Sequence, residues 1–332
     1  MKVPVMDTNT LPTIEDIRTA ARRIDGVASK TPLVESPLLS RILGREVYLK
    51  LECFQPIRVF KIRGAYNKIS KLASKKIVAA SSGNHGLAVA YSSHLLGKQS
   101  TVVIPETAVR EKADAIAEYG AEVVRFGKYH SDREAKAVEI CKRTGAAFVH
   151  PFNDPDIIAG QGTCGLEITE QLTDFDSVIV PVGGGGLISG ISIAVKALRP
   201  SSKVYGVEPV GATKMQSSLR AGKLVKLEAP HSIADGLIPS SVGELTLEVC
   251  RKNVDGMFGV SDDEILSAMR LLVREAHIFP EPSGSAPLAA LMSERDPTKF
   301  GKRVVLVISG GNVSIDLMRR LLSQEVTVSH AS

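Results

Sequence analysis

Tryptophan is absent from this 332-residue chain, and aromatic residues of every kind make up only 5% of it. Lysine and arginine are scattered rather than blocked, with few rings between them. Nothing therefore forms the basic, aromatic-interleaved surface that a nucleic acid needs. The formal net charge is a mild +5. Cysteine is scarce too: Cys53, Cys141, Cys164 and Cys250 lie far apart and match neither a metal spacing nor a disulfide framework, so reduced thiols in a cytoplasmic protein are expected. No apolar run reaches the roughly eighteen residues of a membrane span, so no membrane partner is expected. The segment from Met1 to Pro12 lacks the basic start and apolar core of a secretion signal. There is no repeat, low-complexity tract or linker.

What the chain does have is alternation. Strand-like runs occur at Lys76–Ala80, Ser100–Pro105, Ala121–Phe126, Ala146–His150, Ser177–Val182, Lys203–Val207 and Arg303–Ile308. Helical patterns lie between them, such as Arg110–Tyr119, stopped by Gly120, and Asp132–Arg143, stopped near Gly145. Ser261-Asp262-Asp263-Glu264 reads as a capping box. The pattern predicts an α/β fold with mostly parallel sheets. Strand spacing suggests a small unit at 75–149 set within a larger one formed by 1–74 and 150–332. The polar tail after Leu322 is expected to fray.

Four glycines, Gly183 to Gly186, separate the β-branched run at Val178 from an apolar helical pattern beginning at Leu187. A strand, a bare-backbone loop and a helix start make an anion cradle, because successive N–H groups can close around a phosphate. A merely flexible loop is the plainer alternative. Three other polar turns also sit at predicted strand ends, where α/β sheets bind ligands. They are Ser81-Ser82-Gly83-Asn84-His85-Gly86, Glu208-Pro209 and Ser309-Gly310-Gly311-Asn312. The Ser81 turn suits a carboxylate and equally suits simple helix capping. Lys61 lies among apolar neighbours, Phe60, Ile62 and Gly64-Ala65. A lysine in such a pocket has a lowered pKa and can condense with a carbonyl, although residue chemistry alone does not separate it from a surface lysine.

Taken in order, Phe60-Lys61-Ile62-Arg63-Gly64-Ala65, Ser81 to Gly86, Gly183 to Gly186 and Ser309 to Asn312 resemble the fold-type II pyridoxal-phosphate enzymes. Within that group the resemblance is to the threonine/serine dehydratase and serine racemase family, and it runs from Thr13 to about Leu322. It implies two open, mostly parallel α/β/α domains with pyridoxal 5'-phosphate between them. It also implies that Lys61 carries the cofactor, that Gly183, Gly184, Gly185 and Gly186 bind its phosphate, and that Phe60 packs on the ring. Asn84 would meet the ring hydroxyl and Ser309 the ring nitrogen. Ser81, Ser82 and His85 would receive the substrate carboxylate, with Ser82 as a second acid or base. Arg133 would contact substrate, and Glu281 would lie near the ring. A neutral hydroxyl at the ring nitrogen is a weaker electron sink than a carboxylate partner, which favours prompt loss of a β-leaving group. The implied activity is dehydration and deamination of a 3-hydroxy amino acid, L-threonine or L-serine, in a homodimer or homotetramer.

Two positions depart from the family pattern. Val59 replaces a small residue, which opens the possibility of a less common substrate. Many relatives hold a divalent cation with the equivalents of Glu208, the Ala212 carbonyl and an acid at position 214. Here position 214 is Lys214, so weak or absent divalent-metal dependence is expected. Efficient racemases usually keep that site, which tilts the reading toward a lyase. The chain ends soon after Ser309, leaving no room for a C-terminal regulatory domain, so feedback by isoleucine is not expected. Two other classes remain open. One is a nicotinamide dehydrogenase with Glu208 as its ribose-binding acid, although the third glycine of its fingerprint is missing. The other is a non-catalytic binding protein on the same scaffold.

Overall fold

The structure, a computed structural model, describes residues 10–323 except 82, 109, 128, 129 and 297, and gives the backbone alone at 130 and 131. The strands are β1 (Leu33–Glu35), β2 (Glu46–Leu51), β3 (Lys76–Ala80), β4 (Gln99–Ile104), β5 (Glu122–Arg125), β6 (Ala147–Phe148), β7 (Ser177–Pro181), β8 (Lys203–Pro209), β9 (Gly256–Val260) and β10 (Arg303–Ile308). The helices are α1 (Ile14–Ile24), α2 (Pro37–Leu43), α3 (Lys61–Lys71), α4 (Asn84–Leu95), α5 (Arg110–Ala117), α6 (His130–Thr144), α7 (Pro155–Gln171), α8 (Gly186–Leu198), α9 (Lys214–Ala221), α10 (Glu244–Asn253), α11 (Asp262–Ala276), α12 (Pro282–Ser293) and α13 (Ile315–Ser323).

These strands form two sheets. A six-stranded sheet has the order β1-β2-β10-β7-β8-β9, and a four-stranded one the order β5-β4-β3-β6. Every pairing is parallel except β1 with β2. Side-chain alternation explains why the central strands read as continuous apolar runs. On β10, Val304, Leu306 and Ile308 enter one core with Leu272 of α11 and Leu288 of α12. Val305 and Val307 enter the opposite core with Ile168 of α7 and Ile191 of α8. In the smaller sheet, Ile77 and Ala79 face Ala88 and Val89 of α4. Val78 and Ala80 face Ala137 and Ile140 of α6.

Helix starts follow local chemistry. Thr13 and Asp16 close a capping box on α1, and Ser261 and Glu264 close another on α11. Strands β2 and β9 were not legible as apolar runs. Strand β2 carries the buried Lys50, and β9 carries Gly256 and Gly259. Glu208 and Pro209, expected in a turn, are the last residues of β8, because they pair with Gly259 and Val260 of β9. Among the described residues no helix is long and apolar enough to cross a membrane.

Helix α3 is anchored by a buried ionic network. Arg63 Nε and Nη2 donate to the two carboxylate oxygens of Glu52 at 2.7 and 2.8 Å. Its Nη1 and Nη2 donate to Glu167 of α7 at 2.6 and 2.9 Å. Lys50 Nζ also reaches Glu167, at 2.5 Å. Burial pushes Glu52 upward, but the Arg63 charge and hydrogen bonds outweigh it and hold the carboxyl below its ordinary range. Removing one partner of such a set strands charges in the core. Arg63→Ala should therefore lower unfolding free energy by about 3–5 kcal/mol, read by denaturant titration. A loss under about 1 kcal/mol, the scale of a surface pair, would mean that the network does not hold α3.

Candidate active site

The carboxyl ends of β7 and β10, the starts of α3, α4, α8 and α12, and the turn at Asp235–Leu237 surround one pocket. Its walls include Phe60, Lys61, Asn84, Phe152, Gly183 to Gly186, Gly236, Glu281 and Ser309. The site thus gathers five residue groups expected from sequence: Phe60 with Lys61, Asn84, the four glycines, Glu281 and Ser309.

The glycine loop is fixed by its neighbours. A Cβ on Gly183 would lie 2.6 Å from the Gly236 carbonyl, and one on Gly184 would lie 2.1 Å from the Phe152 ring. Gly185 has φ +94°, a conformation that side-chain-bearing residues avoid. Thr246 Oγ1 donates to the Gly184 carbonyl at 2.8 Å, which pins the loop from behind. Among the described residues, no acceptor bonds the N–H groups of Gly183 through Ile188. Unpaired N–H groups at a pocket wall and helix start are what an anionic phosphate requires.

Lys61 is the first residue of α3, and its Nζ donates to the Pro151 carbonyl at 2.8 Å. The amine also lies 5.2 Å from the centre of the Phe60 ring. Desolvation by the surrounding protein lowers its pKa to about 8. Val59, one position earlier than Phe60, is fully buried against Ile57 and Ile62 and pairs with Gly310, so its side chain packs in the core rather than lining the pocket.

Asn84 opens α4. Its Nδ2 donates to both oxygens of Glu281, at 2.9 and 3.0 Å, while its Oδ1 accepts from Asn312 Nδ2 at 2.8 Å. Glu281 is 4% exposed, and burial pushes its carboxyl up to about 7 against the pull of the Asn84 hydrogen bond. Ser309 follows β10 and is 2% exposed. The ring end of the proposed site therefore offers a hydroxyl, an amide and an acid that is only partly ionised at neutral pH. Sequence reading gave Glu281 a place near the ring but not this partnership, placed Gly236 in a stretch that matches the family without giving it a role, and missed Phe152 altogether. The signal for Gly236 lay in Ile233-Ala234-Asp235-Gly236-Leu237; nothing local marked Phe152.

The other expected residues divide. Ser81 stands just past β3, with its Oγ accepting from Gly83 N–H at 3.3 Å. Ser82 lies outside the described residues. The His85 ring is buried, 3.0 Å from the Val149 carbonyl, so its ring ties α4 to the end of β6. Arg133 is 8% exposed on α6, and burial lowers its pKa; it is not a pocket wall. Glu208, the Ala212 carbonyl and Lys214 meet beneath the glycine loop. Glu208 is fully buried and accepts from Met215 and Gln216 N–H groups, which leaves no ribose-binding acid for the nicotinamide alternative. Among the described residues no three His, Cys, Asp or Glu side chains cluster as metal ligands.

A buried amine and a row of open amides thus line one pocket. The family of pyridoxal-phosphate dependent enzymes matches this chain over residues 24–310. The chain belongs to that family, and its two-sheet α/β architecture is the fold-type II form. It is 42% identical to the L-threonine ammonia-lyase of Thermotoga maritima over 96% of this chain and 80% of that protein. It is 39% identical to the L-threo-3-hydroxyaspartate ammonia-lyase of Saccharomyces cerevisiae, over 94% and 97%. Among solved structures, maize serine racemase superposes with a TM-score of 0.90 at 36% identity, over 94% of this chain and 97% of that one.

Two tests follow from the geometry. Gly184→Ala should cost about 1–3 kcal/mol of stability, as overpacking does, and release the cofactor. Adding Phe152→Ala should recover part of both; no recovery would mean that the ring contact is not the obstacle. Lys61 becomes neutral, and so nucleophilic, as pH rises through about 8. The rate at which cofactor-free protein gains its visible absorption band on adding pyridoxal phosphate should rise through that pH and then level off. A rise that continues toward the ordinary lysine value of about 10.4 would refute the desolvated amine.

Proposed function

We propose that this enzyme eliminates water and then ammonia from L-threonine or L-serine, yielding a 2-oxo acid and ammonium. The observation that carries the reading is the desolvated Lys61 amine lining the same pocket as the open N–H groups of Gly183 to Leu187. The relatives' named activities support the reaction class. When bound, the cofactor supplies an electron sink for the pair left at Cα. Lys61 would hold the cofactor through its amine and, when free, would be the base that takes the Cα proton. Its lowered pKa suits both tasks near neutral pH. The β-hydroxyl departs with a proton as water, and the resulting enamine hydrolyses. Phe60 would pack beside the ring, Asn84 and Ser309 would hold its polar edge, and the glycine N–H groups would hold its phosphate. The N-terminus of α4, with Ser81, Ser82 and the backbone at His85, receives the substrate carboxylate, and Arg133 supports that end.

Among the described pocket walls Lys61 is the only cation. A second substrate carboxylate, as in 3-hydroxyaspartate, would have to find its partner outside those walls, and Arg133 is the cation this reading places at the substrate end. Racemisation begins with the same proton abstraction and needs a second acid on the opposite face, the role proposed for Ser82. We take 75–149, which carries the four-stranded sheet, as a small domain closing on the rest of the chain. Exposed Phe54, Phe279 and Ile315 offer apolar surface for a homodimer or homotetramer, and four free cysteines suit the cytoplasm.

The purified protein should show a visible band that changes on adding threonine or serine, with release of 2-oxo acid and ammonium. Lys61→Ala should abolish the band and the turnover. A band that shifts while only the D-enantiomer accumulates would make the protein a racemase. Turnover of 3-hydroxyaspartate in preference to threonine and serine would overturn the substrate assignment.

A further inference from the structure

Lys214 is the first residue of α9, and neither it nor Glu208 exposes any side chain. Its Nζ lies among four oxygens at nearly equal distance: Glu208 Oε1 at 2.9 Å, Leu237 O at 2.9 Å, Ala212 O at 3.0 Å and Val182 O at 3.1 Å. An ammonium has only three hydrogens to donate. Four oxygens therefore share three hydrogens and surround one positive charge. Three of them are main-chain carbonyls, and the fourth belongs to a carboxylate already held by two N–H groups, at 2.8 and 2.9 Å. The cage keeps its shape through backbone and not through Lys214 alone.

The four ligands come from elements that build the phosphate cradle. Val182 immediately precedes Gly183. Leu237 follows Gly236, whose carbonyl leaves no room for a Cβ on Gly183. Glu208 ends the neighbouring strand β8, and Ala212 precedes α9. Pulling these carbonyls onto one positive charge sets the height of the glycine loop and turns carbonyl oxygens away from the phosphate side.

We propose that this cage is a monovalent-cation site with a tethered occupant: Lys214 positions the phosphate-binding loop, and a free ammonium ion can replace its side chain. Charge and size both point to that ion. One carboxylate balances one positive charge. With Lys214 in place the oxygens stand 2.9–3.1 Å from its nitrogen, the spacing of N–H···O hydrogen bonds, and the side chain fills the position that a divalent ion would need. The inference rests on cofactor binding at the glycine loop, which the wild-type visible band tests separately.

The experiment compares wild type, Lys214→Ala and the double variant Glu208→Gln/Lys214→Met, each as holoenzyme without substrate, because turnover would itself release ammonium. Cofactor retention is read from the visible band after gel filtration, and Tm is read by calorimetry. Wild type should be indifferent to chelator, magnesium and ammonium. Lys214→Ala should bind cofactor about 10- to 100-fold more weakly, the range usual for groups that orient a binding shell. Ammonium chloride should restore both retention and Tm, while tetramethylammonium chloride at equal ionic strength should not. The double variant keeps a neutral, filled cage, so it should fold, retain cofactor weakly and ignore ammonium. The inference is overturned if Lys214→Ala binds cofactor normally or is not restored by ammonium. Wild-type sensitivity to chelator would also overturn it, as would full retention by the double variant.

Discussion

Lys61 stands in the pocket because the chain just before it is stitched to the chain just after β10, some 250 positions away. Phe60 N–H donates to the Ser309 carbonyl at 3.1 Å, and Gly311 N–H donates to the Arg58 carbonyl at 2.8 Å, with Val59 and Gly310 bridged between them. Arg58 takes φ +57° to turn the chain from this seam into α3. On the other side of Gly310, its carbonyl accepts from Glu281 N–H at 2.9 Å. One short irregular strand thus fixes Lys61, Ser309 and Glu281 relative to one another. Through Glu281 and Asn312 it also reaches Asn84, at the start of the smaller sheet's helix α4. Loosening the seam would move every polar group at the ring end of the site at once.

The molecule buries charges in two contrasting ways. Arg63 and Lys61 lie two residues apart on α3. Arg63 is saturated by two carboxylates and is held well above its ordinary pKa, whereas Lys61 has one carbonyl and falls to about 8. The acids repeat the contrast. Glu52 is held below its usual range by Arg63, while Glu281, bonded chiefly to an amide, rises to about 7. Saturated groups anchor the helix; undersatisfied ones face the pocket, where their protonation can change near neutral pH. The same burial that costs stability at Lys61 and Glu281 gives them their chemical usefulness.

Much of this was readable in the linear chain, for physical reasons. The runs at Val178 and Val304 are buried on both faces, so they are apolar throughout, and the glycine loop is bare because neighbours forbid a Cβ. The capping box at Ser261 formed as expected, and helix ends near Gly120 and Gly145 fell where glycine takes positive φ. What escaped depended on contacts distant in sequence. Strand β2 is disguised by Lys50, whose charge is matched only when α7 brings Glu167 to it. Phe152 is an ordinary aromatic until β6 and α7 place it on Gly184. His85 read as a polar group of the substrate turn; its buried ring lies 3.0 Å from the Val149 carbonyl, a partner 64 positions away that no local pattern marks.

The cradle is formed by protein contacts alone. Gly183 is confined by the Gly236 carbonyl, Gly184 by Phe152 and Gly185 by Thr246 and its own φ of +94°. The Gly184 carbonyl is spent on Thr246 and the Val182 carbonyl on Lys214. Once those carbonyls are occupied behind the loop, the N–H groups have only the pocket to face. Binding an anion then requires no reordering of the loop, and its affinity is not reduced by the entropy of fixing four glycines. That entropy has already been offset during folding, by packing against Phe152 and by hydrogen bonds to Thr246 and Lys214. It follows that residues behind the loop, Thr246 and Lys214, would set the strength of anion binding as much as the glycines do, since they hold the backbone in the one conformation where its donors converge.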